Sequence, residues 1–173
     1  MQKDTIAIHA GYDKKNGNGE MAIPISQTTA YAFRDAEHAA NLFALKELGP
    51  IYTRLNNPTN DILEQRYAQL ENGAAALVTA SGASAIFYSI ANIAEAGDNI
   101  LISDKLYGGS VTLFHFTLKR FGISVKTFKS DDASDLESLV DDKTKGIFFE
   151  SLSNPQIAIP AIEKIVEVAK KHG

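Results

Sequence analysis

The sequence predicts an α/β protein built on a mostly parallel sheet that helices flank. From Pro58 onward, four short apolar runs alternate with longer stretches in which apolar residues recur at helical spacing. The apolar runs are nearly continuous, which is typical of parallel strands covered on both faces. With 173 residues, of which 45% are hydrophobic, the chain is long enough to bury one core.

The first helix of this alternating region is predicted from Leu63, Tyr67 and Leu70, which share one helical face. Thr59 is predicted as its N-cap and Gly73 as its end. The later elements follow from the same patterns. They are a strand at 74–79, a helix at 83–94, a strand at 99–103, a helix at 111–121, a strand at 123–128, a short helix behind a Ser134–Glu137 capping box, a strand at 146–150 and a helix at 160–172.

Residues 1–57 differ from the rest of the chain. They are rich in Gly, Asn and Thr and suggest one helix, at 36–48. Because they show no independent core, we interpret them as an extended N-terminal arm that lies on another surface, followed by a single domain at 58–173. That domain is expected to be incomplete, since a doubly wound sheet places a strand after a helix such as 160–172.

The composition narrows the range of functions. The net charge is −4 with acidic and basic residues mixed, so nothing favours nucleic acid or an anionic membrane as a partner. The chain has no cysteine and its four histidines are scattered, so neither a disulfide nor a metal site is predicted. The uncharged run 72–94 is long enough to raise the question of a membrane span, but polar and glycine residues interrupt it and a strand–turn–helix explains it better.

Two glycine-containing stretches are candidates for phosphate binding. Residues 17–22 match the pattern G-x-G-x-x-[GA], but polar residues precede them where a dinucleotide-binding motif needs a strand, so we set a nucleotide-binding module aside. The stretch Ser81-Gly82-Ala83-Ser84 does stand between a predicted strand and a predicted helix. Unpaired amides at a helix start can bind an anion that approaches closely at glycine. Tight packing of the helix on the sheet explains the same small residues equally well.

Tyr52 and Arg54 stand two positions apart in an irregular segment, so in extended chain their side chains project to the same side. A guanidinium suits a phosphate, although a surface salt bridge is the commoner role for such an arginine.

Tyr107 and Asn154 follow the predicted strands 99–103 and 146–150, where α/β folds bind ligands. Tyr107 suits stacking on a ring or moving a proton, although a place in a turn explains it equally well. Asn154 suits a bond to a ligand oxygen, although organising a turn is the commoner role of such an asparagine. With Gly82, these residues lie beyond the carboxyl ends of three predicted strands. An anion site, an aromatic ring and an amide around one crevice suit a phosphorylated aromatic cofactor.

Several segments resemble, in order and at family spacing, the N-terminal part of the Cys/Met-metabolism family of pyridoxal 5′-phosphate (PLP) enzymes, fold type I. NLFALKELGPIYTR is more similar to the O-acetylhomoserine sulfhydrylase branch than to the cystathionine synthases or lyases. The segments are IHAGY (8–12), IPISQTTAY (23–31), AANLFALKELGPIYTRLNNPT (39–59), LENGAAALVTASGASA (70–85), AGDNILIS (96–103), LYGG (106–109) and FFESLSNP (148–155).

The resemblance implies roles for the residues that follow the sheet. The amides of Gly82 and Ala83 would hold the cofactor phosphate. Tyr107 would stack on the pyridine ring, and its hydroxyl would act in catalysis. Asn154 would bond the ring's 3′ oxygen. Lys105 is the lysine nearest this crevice, but the resemblance assigns it no role.

The resemblance also explains the arm. Tyr52 and Arg54 would reach the phosphate of a neighbouring subunit, which implies a homo-oligomer, a tetramer built from dimers that share active sites. Residues 1–57 would then lie at a subunit interface.

The activity that the resemblance implies is a cytoplasmic transferase reaction of methionine biosynthesis. Sulfide or a small thiol replaces the acetate of O-acetylhomoserine, which gives homocysteine or methionine. Methionine γ-lyase, cystathionine γ-synthase or lyase, and a truncated chain without catalysis are the alternatives. Family chains continue past this length and carry there the cofactor-binding lysine, the aspartate at the ring nitrogen and the substrate-binding arginine. We therefore expect the 173-residue chain alone to be inactive.

Overall fold

The structure, a computed structural model, describes residues 2–16 and 19–173. It divides into two compact units, Met1–Val78 and Thr79–Gly173. The boundary differs from the one predicted between residues 57 and 58, because the helix that follows residue 57 packs on the N-terminal helix.

The described residues of the first unit form three α-helices. They are α1 (Lys3–His9), α2 (Ala36–Phe43) and α3 (Pro58–Leu70). α1 contacts α3. Among the residues described in this unit, only Ala10, Leu42 and Asn57 are buried. The unit therefore buries little apolar surface by itself, in agreement with the absence of a core pattern in its sequence.

Two helix boundaries in this unit differ from the predictions. α2 ends at Phe43 and not at Leu48, because the chain turns at Leu45, where φ is 55°. The N-cap of α3 is Asn57 and not Thr59, since the Asn57 side chain accepts a hydrogen bond from the Thr59 amide at 2.9 Å. The proline between them takes the first helical position, where a missing N–H leaves no helical bond unmade.

The strand predicted at 74–79 is not formed, and the segment has no regular secondary structure. The Val78 amide donates to the Glu64 carboxylate of α3 at 2.8 Å, and Leu77 is 74% exposed. A strand needs a neighbour that pairs with its backbone groups, and no strand in the described part of the chain pairs with this one. The apolar pattern alone was therefore insufficient here.

The second unit is built on a parallel sheet. Its strands are β1 (Asn99–Ser103), β2 (Ser124–Phe128) and β3 (Thr144–Phe148), in the order β2-β1-β3. Every residue of β1 is buried, as expected for the central strand of a sheet covered on both faces. The predicted parallel α/β architecture is confirmed, with three strands within 2–16 and 19–173 where the sequence predicted four.

Helices cover both faces of this sheet. They are α4 (Gly82–Ile93), α5 (Gly108–Thr112), α6 (Leu118–Arg120), α7 (Leu136–Leu139) and α8 (Ile162–His172), and a π-helical segment, Leu113–Thr117, joins α5 to α6. Ile100 and Ile102 pack with residues of α4 and of the helical stretch 108–120, whereas Leu101 packs with residues of α7 and α8. The alternation is the two-residue period of a strand.

Two predictions around the last strand are wrong. The Ser134–Glu137 capping box does not form: the Ser134 amide donates to Asp132 at 3.0 Å, and the Glu137 carboxylate pairs with Lys171 of α8. β3 covers Thr144–Phe148 where 146–150 was predicted, so Glu150 lies beyond the strand.

The uncharged run 72–94 contains a helix of 12 residues, Gly82–Ile93. A helix that crosses a bilayer needs about 20 apolar residues. No helix in the part of the chain that the structure describes is long and apolar enough to cross a membrane.

Asp141 links the three strands through hydrogen bonds to its carboxylate. Lys126 donates to it at 2.6 Å, Asn99 at 2.8 Å and the Thr144 hydroxyl at 3.1 Å. These bonds, that of Lys126 first, hold the pKa of Asp141 well below its ordinary value.

We expect Asp141→Asn to lower the free energy of unfolding at neutral pH. Because the folded-state pKa is depressed, the stabilisation is present above the unfolded-state pKa of about 3.9 and is lost as pH falls through the lower folded-state value. Urea unfolding of wild type and variant, at neutral pH and at about pH 3, should therefore show a difference that shrinks in acid. Asp142→Asn, at an exposed neighbour, is the control. A difference that is equal at both pH values contradicts the prediction.

Candidate functional site

The carboxyl ends of the parallel strands bring the predicted residues of the second unit to one edge of the sheet. β1 and β3 are parallel neighbours, so Tyr107 and Asn154, which follow them, emerge at the same edge. α4 starts at this edge too. α4 packs on the sheet, and a short connection joins its end to the amino end of β1. Its 12 residues span about 18 Å, close to the roughly 16 Å of a five-residue strand. The start of α4 therefore lies near the carboxyl end of β1.

The start of α4 presents unpaired amides. Ser81 caps the helix by accepting a bond from the Ser84 amide at 3.1 Å, and the amides of Gly82 and Ala83 donate to no group within the described ranges. A Cβ atom built on Gly82 meets no atom within 4 Å. At Gly82 the packing explanation therefore fails, because nothing crowds the residue, and the space before the helix is open to an anion.

Close packing of α4 on the sheet occurs at a different glycine. A Cβ atom on Gly146 of β3 would lie 3.1 Å from Cδ1 of Ile93, at the far end of the helix. The small residue that packing requires is thus in the strand and not in the helix start.

Tyr107 directly precedes α5, and 57% of it is exposed. A Cβ atom built on Gly109 would lie 2.6 Å from Tyr107 Cε1, so the ring rests against the Gly109 backbone. The Tyr107 hydroxyl makes no hydrogen bond within the part of the chain that is described. The ring is thus held by its own loop with the hydroxyl available to another group.

Sequence reasoning missed Glu150, which joins the two loops at this edge. Its Oε1 accepts a hydrogen bond from the Tyr107 amide at 3.0 Å and a longer one from the Ser110 hydroxyl at 3.5 Å. Its Oε2 accepts from the Asn154 amide at 3.3 Å. The available signal was an acidic residue directly after the apolar run GIFF, at the end of a strand predicted to be buried.

Asn154 is exposed, and its side-chain amide makes no hydrogen bond to the described residues. The turn that contains it is organised by Ser153 instead. Ser153 is buried, its hydroxyl accepts from the Ala158 amide at 3.0 Å, and its backbone bonds both Ala158 and Ile157. The turn explanation therefore does not account for the Asn154 side chain, which remains free to donate.

Tyr52 and Arg54 belong to the first unit, where they lie on one side of the chain as predicted. The Arg54 guanidinium carbon is 5.2 Å from the centroid of the Tyr52 ring. Arg54 forms no ion pair with any acidic residue in the described ranges, so the salt bridge considered for it is not observed. Two backbone contacts hold this segment: Tyr52 bridges Ala30 in antiparallel fashion, and the Thr53 amide donates to Thr29 at 2.8 Å.

The buried Asn57 side chain also holds the segment that contains Tyr52 and Arg54. Its side-chain nitrogen donates to the Ser26 carbonyl at 2.9 Å and to the Thr53 hydroxyl at 3.1 Å, while its oxygen caps α3. Asn57 was not predicted as the cap, although asparagine before Pro-Thr is a typical helix start.

Two other candidates are not part of this arrangement. Lys105 pairs with Asp131, which follows β2, so its charge is already matched. In the pattern at 17–22, Gly17 and Asn18 lie outside the described residues. No helix occurs in the described residues 19–35, so the helix start that a dinucleotide-binding motif supplies is missing there.

Comparisons with known proteins agree with the predicted family and fold. A family model described as Cys/Met metabolism PLP-dependent enzyme matches residues 4–173. Homocysteine synthase of Schizosaccharomyces pombe is 45% identical over 98% of this chain and 40% of its own length. A solved structure from Campylobacter jejuni, assigned as an O-acetylhomoserine (thiol)-lyase and containing N′-pyridoxyl-lysine-5′-monophosphate, is 50% identical with a TM-score of 0.93, over 99% of this chain and 42% of that one.

A second solved structure is less similar in sequence to this chain. Cystathionine γ-lyase from Lactobacillus plantarum, complexed with L-serine, is 28% identical with a TM-score of 0.87, over 99% of this chain and 42% of that one. The chain thus spans about two fifths of the length of these relatives. Sequence and fold agree over essentially the whole chain, and it belongs to the Cys/Met metabolism family of PLP-dependent enzymes.

Proposed function

We propose that the complete enzyme, meaning a protein of the relatives' length that carries residues 1–173, replaces the acetate of O-acetylhomoserine by sulfide or a small thiol. The products are acetate and either homocysteine or methionine. The observation that carries the proposal is the difference in identity between the two solved structures at equal coverage: 50% for the O-acetylhomoserine (thiol)-lyase against 28% for the cystathionine γ-lyase. The same difference disfavours a cystathionine γ-lyase activity.

The start of α4 fits the phosphate of PLP. The unpaired amides of Gly82 and Ala83, the helix dipole and the open space at Gly82 all favour an anion there. We assign these two amides to the cofactor phosphate. Ser81 supports the site by capping the next amide, which leaves the first two directed outward.

Tyr107 and Asn154 fit the ring of the cofactor. The Tyr107 side chain supplies an aromatic surface for stacking, and the free Asn154 amide can donate to the 3′ oxygen. When bound, PLP withdraws electrons from the substrate carbon atoms, which is the chemistry that the protein itself lacks. The protein then orients the substrate and moves protons, and we assign one such proton transfer to the Tyr107 hydroxyl.

Tyr52 and Arg54 are proposed to reach the phosphate in a neighbouring subunit, with residues 1–57 as an arm at that interface. The support is the small number of buried residues in the first unit and an arginine that no described carboxylate neutralises. The proposed assembly is a tetramer built from dimers that share active sites, in the cytoplasm, without nucleic acid or membrane as a partner. Residues 58–173 are proposed as the first part of the PLP-binding large domain.

The test is product analysis with the purified complete enzyme and added PLP. With O-acetylhomoserine and sulfide, we expect homocysteine and acetate in equal amounts. The same enzyme is then given methionine or cystathionine without a thiol, which are substrates for elimination. Release of an α-keto acid from either compound, faster than homocysteine forms from O-acetylhomoserine, contradicts the proposal and favours a lyase.

Gly109→Ala should displace the Tyr107 ring, because the new Cβ would lie 2.6 Å from Cε1. We expect a severalfold lower affinity for PLP, measured by fluorescence titration. Gly108→Ala is the matched control, since a Cβ there meets no atom within 4 Å and both changes have a similar effect on helix propensity, up to about 1 kcal/mol. Equal affinities for the two variants would show that the ring is not held at Gly109.

A further inference from the structure

We infer that Glu150 is a positioning residue whose carboxylate fixes the Tyr107 loop relative to the Asn154 loop. The inference rests on the proposed function for the roles of Tyr107 and Asn154. The hydrogen-bonded link between their loops does not depend on those roles. The link joins chain segments that follow β1 and β3 at one edge of the sheet.

Each carboxylate oxygen serves a different loop. Oε1 accepts from the Tyr107 amide at 3.0 Å, and Oε2 accepts from the Asn154 amide at 3.3 Å. Both partners are backbone donors, so the bonds set the course of the two loops while both functional side chains remain free. Hydrogen bonds to an ionised acceptor are about twice as strong as neutral ones.

No cation shares this carboxylate within the described part of the chain, where ion pairs form between other residues. The hydrogen bonds that Glu150 makes there come from the two loop amides and, at longer distance, from Ser110 in α5. The residue itself is half-buried and stands two positions beyond the last residue of β3. A carboxylate so placed is matched by the loop amides and not by a neighbouring charge.

The geometry needs two acceptor atoms. A glutamine at 150 would offer one oxygen and one NH2 group, and the NH2 group would face a backbone N–H donor on one side. One of the two links is then lost. An aspartate keeps both acceptors but is shorter by one methylene, so it cannot span both loops without a shift.

The first measurement uses hydrogen–deuterium exchange in the PLP-free complete enzyme. Glu150→Gln is expected to speed exchange at the Tyr107 and Asn154 amides severalfold or more, with little change in β1. Glu167→Gln, the same chemical change on the exposed side of α8, is the control. Unchanged exchange at both amides in Glu150→Gln overturns the inference, whether or not the proposed reaction is correct.

The second measurement uses the PLP-bound enzyme. Because a misplacement of about 1 Å costs up to a hundredfold in rate, we expect Glu150→Gln to lower kcat roughly tenfold to a hundredfold with a small change in KM. The pH titration of the bound cofactor's absorbance should shift as well, since the Asn154 side chain is the group proposed to bond the 3′ oxygen. A merely structural role would lower the melting temperature and leave this titration and the kcat–pH profile unchanged, which would overturn the inference.

Two further outcomes separate this inference from the proposed function. If wild type binds PLP but does not form homocysteine, the exchange and absorbance effects of Glu150→Gln still support Glu150 while the proposed reaction fails. If Glu150→Gln does not fold, Glu150→Asp is measured in its place. It is expected to change exchange and absorbance in the same direction by a smaller amount, and wild-type behaviour of Glu150→Asp then overturns the inference.

Discussion

Tyr107→Phe is expected to lower turnover of the complete enzyme roughly 10²-fold while PLP stays bound. The ring contact with Gly109 involves only carbon atoms that phenylalanine also has, so the stacking surface is retained. The hydroxyl is the one group removed, and in the described ranges it has no hydrogen-bond partner whose loss could disturb the fold. A large loss of turnover would therefore report a proton transfer by this hydroxyl.

Tyr88→Phe is the matched control, because Tyr88 and Tyr107 are both 57% exposed and Tyr88 lies on α4. Turnover and PLP affinity are measured together in both variants. If Tyr107→Phe retains turnover within about a factor of three, the residue is a stacking surface only and the catalytic assignment is wrong. A lower PLP affinity would instead show that the hydroxyl helps to hold the cofactor.

The sheet of the second unit was predictable because its signal is local. The run NILIS at 99–103 is apolar at every position but its ends, and it forms the buried central strand with the predicted limits. The helix predicted at 83–94 is also confirmed, as Gly82–Ile93. The apolar run at 74–79 carries a similar signal without forming a strand, since a strand also requires a partner and that requirement is not written in the run itself.

Local chemistry also explains the helix ends that were missed. Both Asn57 and Thr59 can cap a helix, but proline prefers the first helical position, which indicates Asn57, and the 2.9 Å bond from the Thr59 amide shows this cap. The Ser134–Glu137 pair fits a capping box, yet Glu137 is taken by Lys171, 34 residues away. Long-range pairs of this kind override a local preference.

In the candidate site, too, some residues could be selected from local sequence and one could not. Gly82, Tyr107 and Asn154 were selected as candidates because each stands at a predicted junction between strand and helix, where α/β folds bind ligands. Glu150 was missed because its role depends on a bond to Tyr107, 43 residues away. The family resemblance, confirmed by the match over residues 4–173, supplied the cofactor that these residues fit.

Arg54→Ala is expected to weaken PLP binding by the complete enzyme about tenfold to a hundredfold at fixed salt. Charge-assisted bonds to a phosphate are worth roughly 1.5–3 kcal/mol each, and Arg54 has no described acidic partner that would reduce its attraction for an anion. Its neighbour Tyr52, 5.2 Å away, holds the guanidinium on the same side of the chain. Arg120→Ala, at an exposed arginine of α6, is the control for loss of positive charge.

If the proposed active site is shared between subunits, Arg54→Ala should also respond to mixing with a second variant. If Arg54 acts on the phosphate of a neighbouring subunit, a mixed dimer of one Arg54→Ala subunit and one Tyr107→Phe subunit contains one site with both residues intact. Mixing the two weak variants under conditions that exchange subunits should then restore turnover above that of either one alone. An unchanged PLP dissociation constant in Arg54→Ala removes the phosphate assignment altogether. A weakened constant without recovery on mixing keeps the phosphate contact and places Arg54 in its own subunit's site, because each site of the mixed dimer would then carry one of the two defects.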